Sequence, residues 1–136
     1  MNALEKAQIY QRYLAEEGYA PKTDSDGDVI FKAEGKAYFF SIDAKDEPFF
    51  RLVFPNFWNI ESNDELVKVI IAANHATMLT KVAKVYVNPD GKNTTASVEM
   101  LLPNPNDFRS VFHRSLALIQ ASVNNFVDKM KDISSQ

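Results

Sequence analysis

Eleven consecutive residues, PFFRLVFPNFW from Pro48 to Trp58, constrain this chain more than any other stretch, because they hold four of its ten Phe and its only Trp. Phe50, Leu52 and Phe54 alternate with Phe49, Arg51 and Val53, which is the period of a strand. The run therefore reads as one buried strand from Pro48 to Phe54. Pro55 cannot donate to a ladder, so it predicts the strand's end, with Phe57 and Trp58 following in a loop between Asn56 and Asn59. A strand this apolar on both sides must be covered by something.

The flanking sequence supplies the cover. Asn2 and Glu5 have the spacing of an N-cap and its reciprocal partner, and Ala3, Ala7, Tyr10 and Leu14 recur at helical intervals. Gly18 and Pro21 close this first helix, predicted over about 3–17. After the polar turn Asp24–Asp28, Val29 and Phe31 form one alternating run. Tyr38, Phe40 and Ile42 form a second, joined to it by Glu34-Gly35-Lys36. With 48–54 these make an antiparallel meander, since the connections are too short for parallel crossovers. Ser62 to Glu65 has the capping-box pattern and opens a second helix to about Leu79, with Leu66, Ile70, Ala73 and Thr77 on one side and Val67, Ile71, Asn74 and Met78 beside them. Strands around Val85 and Val98 flank the turn Asn88–Gly91. Asn104 and Pro105 then start a long last helix, whose apolar residues run from Phe108 to Met130. The expected fold is α+β, in the order α-β-β-β-α-β-β-α, with a five-stranded antiparallel sheet packed by helices. All 136 residues form one domain.

Charge and composition exclude several functions. A net charge of -3 and a sequence pI of about 5.3 give no footprint for nucleic acid. The absence of Cys removes disulfides, thiol catalysis and the commonest structural zinc ligand, and fits a reducing, cytoplasmic setting. The first residues show no signal-peptide pattern, and no apolar run approaches the ~20 residues of a membrane span. Asp24, Asp26 and Asp28 resemble a calcium loop only superficially. With Gly27 at the sixth position, Lys22 stands first and Ala33 twelfth, and neither can ligate. His75 and His113 lie on different helices without a ligand motif. No Ser sits in a glycine-flanked elbow, and no glycine-rich loop cradles phosphate. No catalytic residue, cofactor or metal is expected.

The sheet's second face carries the functional expectation. If Phe31, Phe40, Phe50, Leu52, Val85 and Val98 face the helices, then Ile30, Phe39, Phe49, Val53 and Tyr86 face away, beside Arg51, Lys84, Thr95, Ser97 and Glu99. Either helices of the same chain cover both faces, or this side is a protein-binding surface that Phe57 and Trp58 extend.

Glu17-Gly18-Tyr19, Asp26-Gly27-Asp28-Val29 and Lys84-Val85-Tyr86-Val87, taken with the order of elements, resemble the bacterial YbjN family. Its members are described as sensory-transduction regulators and are similar in fold to type III secretion chaperones. The resemblance implies a compact, acidic, cytoplasmic α+β protein that dimerises and has no catalytic residues. In the secretion chaperones a partner polypeptide wraps over apolar grooves of the dimer. The expectation is a non-enzymatic, chaperone-like or regulatory binding module. It would act as a homodimer with a possible polypeptide partner, docking through the sheet face, the aromatic loop and an exposed strand edge. The alternative is a small-molecule sensor or enzyme whose pocket, between sheet and last helix, gathers groups such as His75 and Glu99.

Overall fold

The computed structural model describes residues 1–135. Helix α1 (Ala3–Glu16) begins where the Asn2 side chain accepts from the Glu5 N–H, and ends before Gly18 at a φ of +90°. Six strands follow the chain as β1 (Lys22–Thr23), β2 (Val29–Ala33), β3 (Lys36–Phe40), β4 (Phe49–Asn59), β5 (Ala83–Val87) and β6 (Asn93–Leu101). Helix α2 (Asn63–Leu79) lies between β4 and β5, and α3 (Phe108–Ser134) closes the chain after a 3-10 turn at Pro105–Asp107. The sheet is antiparallel throughout, in the order β1-β2-β3-β4-β6-β5.

The class and element order are as expected, with two corrections. Among the described residues there are six strands, not five, because Lys22 and Thr23 pair with Ile30 and Val29. Two residues without an apolar member leave no alternation to detect. The central strand also continues through Pro55 to Asn59. Its register with β6 shifts between Phe54 and Trp58, and Asn56 takes a φ of +55° there. Pro55 sits in this irregularity, where its missing N–H interrupts no ladder bond. Phe57 and Trp58 are thus strand residues, not a loop.

All three helices lie on one face of the sheet. Tyr10 of α1 stacks on Phe40 of β3 at 4.3 Å between ring centres, and Phe108 and Tyr10 make a T-shaped pair at 4.7 Å. Phe112 packs against Phe31 and Phe40, while Phe126 meets Phe57 and Trp58 at 5.2 and 5.4 Å. Helix α2 lies against α3 and β5. Its buried residues are Val69, Ala72, Ala73 and Ala76, so the expected stripe through Leu66, Ile70 and Thr77 is out of phase. The small Ala side chains let the helix approach closely, and the larger Ile residues are left outside.

Among the described residues one buried side-chain group is unsatisfied. Thr94, opposite Trp58 and Val87, is fully buried, and its Oγ1 has no hydrogen-bond partner. Thr94→Val keeps the shape and removes the orphan hydroxyl. It is expected to stabilise the fold by about 1 kcal/mol. Thr95→Val should do the opposite, since Thr95 Oγ1 donates to Asn88 Oδ1 and accepts from the Asn56 N–H. Urea denaturation of both variants checks the pair of signs.

Candidate protein-docking surfaces

Among the described residues no helix covers the sheet's second face. Register places Lys22, Ile30, Phe39, Val53, Ser97 and Lys84 in one row across it. Arg51 pairs with Glu99 on one side of the row, and Phe49 with Leu101 beyond that. This face is less open than its apolar content suggests. Val53 is only 1% exposed, and Ser97 is fully buried. Polar side chains are tied together on it: the Arg51 guanidinium donates to Tyr86 Oη at 2.6 Å, Lys84 Nζ donates to Glu99 Oε1 at 3.1 Å, and Ser97 Oγ donates to Glu99 Oε2 at 2.7 Å. Burial alone would raise the Glu99 pKa. The hydrogen bonds from Ser97 and Lys84, with the charges of Lys84 and Arg51, outweigh it and hold the carboxyl below its ordinary value. The stabilisation this gives is present above the unfolded carboxylate's pKa and is lost as pH falls through the lower folded one.

Of the residues expected to bind a partner, Ile30, Phe39, Phe49, Val53 and Tyr86 therefore do share one face. Ile30 is 37% exposed, Phe39, Phe49 and Tyr86 are half-buried, and Val53 is inaccessible. Phe57 and Trp58 do not extend this surface. Both pack on Phe126 of α3 within the helical layer, and Trp58 Nε1 donates to Glu65 Oε1 at the start of α2. The capping box is consequently half-formed: Ser62 Oγ accepts from the Glu65 N–H, while the Glu65 carboxylate holds the indole.

Strand addition at β5 is also blocked. Thr77 of α2 accepts from the Val85 N–H at 2.9 Å and donates to the Val85 carbonyl at 3.3 Å, taking both groups on the outer side of that strand. The opposite margin is β1, of two residues, and beyond it the stretch of β2 from Phe31 to Ala33, which pairs with β3 alone.

The largest run of exposed aliphatic side chains lies elsewhere, on α2. Val67, Ile70, Ile71, Met78 and Leu79 are about half exposed or more, Met78 reaching 70%. Just beyond the helix, Val82 is exposed at a φ of +66°, and the Ala83 N–H bonds back to the Lys81 carbonyl at 2.7 Å. A β-branched residue in that region is strained. Sequence reading missed this surface, although a signal was there. A helix apolar on most of its circumference needs a second surface to cover it.

Groups that could do chemistry are dispersed. Glu99 points away from the helices, so it cannot converge with His75 of α2. His113 is exposed, 4.0 Å from Glu17. A cleft of about 340 Å³ between the β2–β3 hairpin and α3 is lined by Tyr19, Tyr38, His113 and Gln120, but Gln120 Nε2 already donates to Tyr38 Oη at 2.6 Å. Asp24 Oδ1 accepts from the Asp26 and Asp28 N–H groups, and Asp28 Oδ1 from Ile42, so these acids build the turn. Among the described residues no cluster of three His, Asp or Glu could hold a metal ion, and no helix is long and apolar enough to cross a membrane.

Comparison with known proteins adds fold alone. No family model matches the chain, and no curated protein does. A solved structure, that of an uncharacterized protein from Methanothermobacter thermautotrophicus, is similar over 96% of this chain and 97% of its own, with a TM-score of 0.56 and 11% sequence identity.

Proposed function

We propose that this chain is a non-enzymatic protein-binding module, regulatory or chaperone-like in the manner of the YbjN proteins and secretion chaperones it resembles, working as a homodimer. One observation carries the reading: the aliphatic row on α2 that the chain's own fold leaves outside. Contiguous apolar surface of this kind marks a site of association. The half-open sheet face around Ile30, Phe39 and Phe49 is the second surface, suited to a polypeptide whose apolar side chains meet Ile30 and Phe39 while its polar groups meet Lys84 and Arg51.

The test isolates complexes of the tagged chain under native conditions and weighs them intact. Wild type is expected to carry polypeptide, either a second copy or a stoichiometric partner. Phe39→Asp should release a partner from the sheet face, and Ile71→Asp should release whatever covers α2, both with an unchanged circular dichroism spectrum. A bound metabolite in place of any polypeptide would sink the reading and favour a sensor or enzyme using the cleft at Tyr38 and Gln120.

A further inference from the structure

We propose that the notch where β6 outruns β5 is a binding site for an alkyl carboxylate, with Lys81 and Arg114 taking the head group and Val82, Met100, Val111 and Leu118 the chain. The notch follows from strand lengths. β5 begins at Ala83, opposite Val98, whereas β6 continues to Leu101. Met100 is therefore paired with Phe50 of β4 on one side and with no β5 residue on the other, and it shares the helix-facing side with Ala96 and Val98. The chain leaving α2 does not fill the gap. It turns at Val82, whose φ is +66°, and the Ala83 N–H closes on the Lys81 carbonyl at 2.7 Å. A cleft of about 300 Å³ is left between that turn, Met100 and the stretch of α3 from Val111 to Leu118. That is the lower end of the size range for small-molecule pockets.

The lining says what it takes. Ser115, the uncharged polar residue of the wall, already donates its Oγ–H to the Val111 carbonyl at 2.7 Å, so the rest of the wall is hydrocarbon. The charged residues are both cations, Lys81 and Arg114, both exposed, and no Asp or Glu lines the cleft although the chain carries a net charge of -3. Arg51 and Lys84 are held by Glu99, and Arg109 by Glu16. Among the described residues Lys81 and Arg114 have no such carboxylate. Apolar walls with two unengaged cations beside them are complementary to an anion carried on a hydrocarbon chain. Val82 adds an independent sign. A β-branched residue at positive φ persists only where its surroundings hold it, and such strain is concentrated at ligand clamps. The site is separate from the protein-binding reading, because neither the aliphatic row on α2 nor the sheet face around Ile30 and Phe39 lines this cleft.

The test titrates octanoate into the isotope-labelled full chain and follows its methyl and amide resonances. Saturable shifts are expected at Val82, Met100, Val111 and Leu118, with a Kd of about 0.1–1 mM for a ligand this small. Lengthening the chain from hexanoate to octanoate should tighten binding by up to about four-fold per methylene. Octylammonium, the same chain with the opposite charge, should bind about ten-fold more weakly or worse. Lys81→Gln and Arg114→Gln should each weaken octanoate by roughly two- to five-fold, as suits exposed cations. Val82→Gly relieves the strained dihedral and removes one wall. Its urea midpoint should not fall, while octanoate should bind about three- to ten-fold more weakly. No saturable shift up to ~10 mM octanoate overturns the site. Equal affinity for octylammonium overturns the role of the two cations, and shifts centred on Ile71 or Phe39 overturn the location. The protein-binding reading stands or falls on captured polypeptide and not on these shifts, so the two fail separately.

Discussion

Phe40→Ala is expected to lower stability by about 3–5 kcal/mol, the largest loss for any single truncation in this chain. Phe40 is fully buried at the meeting point of both layers. Its ring lies face to face with Tyr10, and Phe31, Phe50, Phe108 and Phe112 surround it at 5.5–5.9 Å. Truncation removes the ring's transfer energy and leaves a cavity walled by five other rings. Rigid aromatic walls collapse poorly, so the cost belongs at the upper end of the usual range. The urea midpoint should fall with an unchanged slope, and the melting temperature should drop by about 10–15 °C. Phe40→Leu should lose less than half as much. A loss below ~1.5 kcal/mol for the Ala variant would mean that the cluster is not the centre of the core.

Lys6→Ala should cost about 2–3 kcal/mol, large for a charged residue on a terminal helix. Only 2% of Lys6 is exposed, and its Nζ donates to the Phe49 carbonyl at 2.6 Å and the Asp46 carbonyl at 3.3 Å. It thereby ties α1 to the connection that launches β4. Removing the ammonium takes the donor from the buried Phe49 carbonyl, while the Asp46 carbonyl keeps the Phe49 N–H, and it leaves a gap under the helix. Lys6→Met should recover the packing and not the hydrogen bonds, falling between wild type and Ala. Burial pushes the Lys6 pKa below its ordinary value, although Asp46, Asp43 and Glu47 pull it upward. Between the lower folded pKa and the unfolded one the unfolded chain binds more protons, so Lys6 makes stability rise with pH through that window. In Lys6→Met that rise should vanish, as denaturation at a series of alkaline pH values would show.

How much of this is legible without coordinates depends on how many environments a residue type can satisfy. Phe31, Phe40, Phe50, Leu52, Val85 and Val98 alternate strictly, and a one-residue slip would turn all of them outward, so their facing follows from sequence. Capping at Asn2 and Ser62 is equally plain. Pro55 misleads because the rule it obeys concerns hydrogen bonds, not direction. Where the ladder is already interrupted, proline ends nothing. Helix α2 misleads for a different reason. Its apolar residues ring most of the circumference, so periodicity does not choose a face. Size decides: Ala72, Ala73 and Ala76 fit the close approach to the protein body, and Val67, Ile71 and Met78 do not. Burial of Val53, between Phe39 and Ser97, was beyond reach for a third reason. It depends on how neighbouring side chains lie across the face, which no pattern of residue types encodes.

The hydroxyl of Thr77 has a consequence for crowding. By satisfying Val85 from the side, it acts as a one-residue substitute for a neighbouring strand. At that margin the sheet does not recruit passing chains through its backbone, so encounters there are read by side chains. Lateral growth into filaments has no starting point at that margin, and assembly can stop at a defined number of copies.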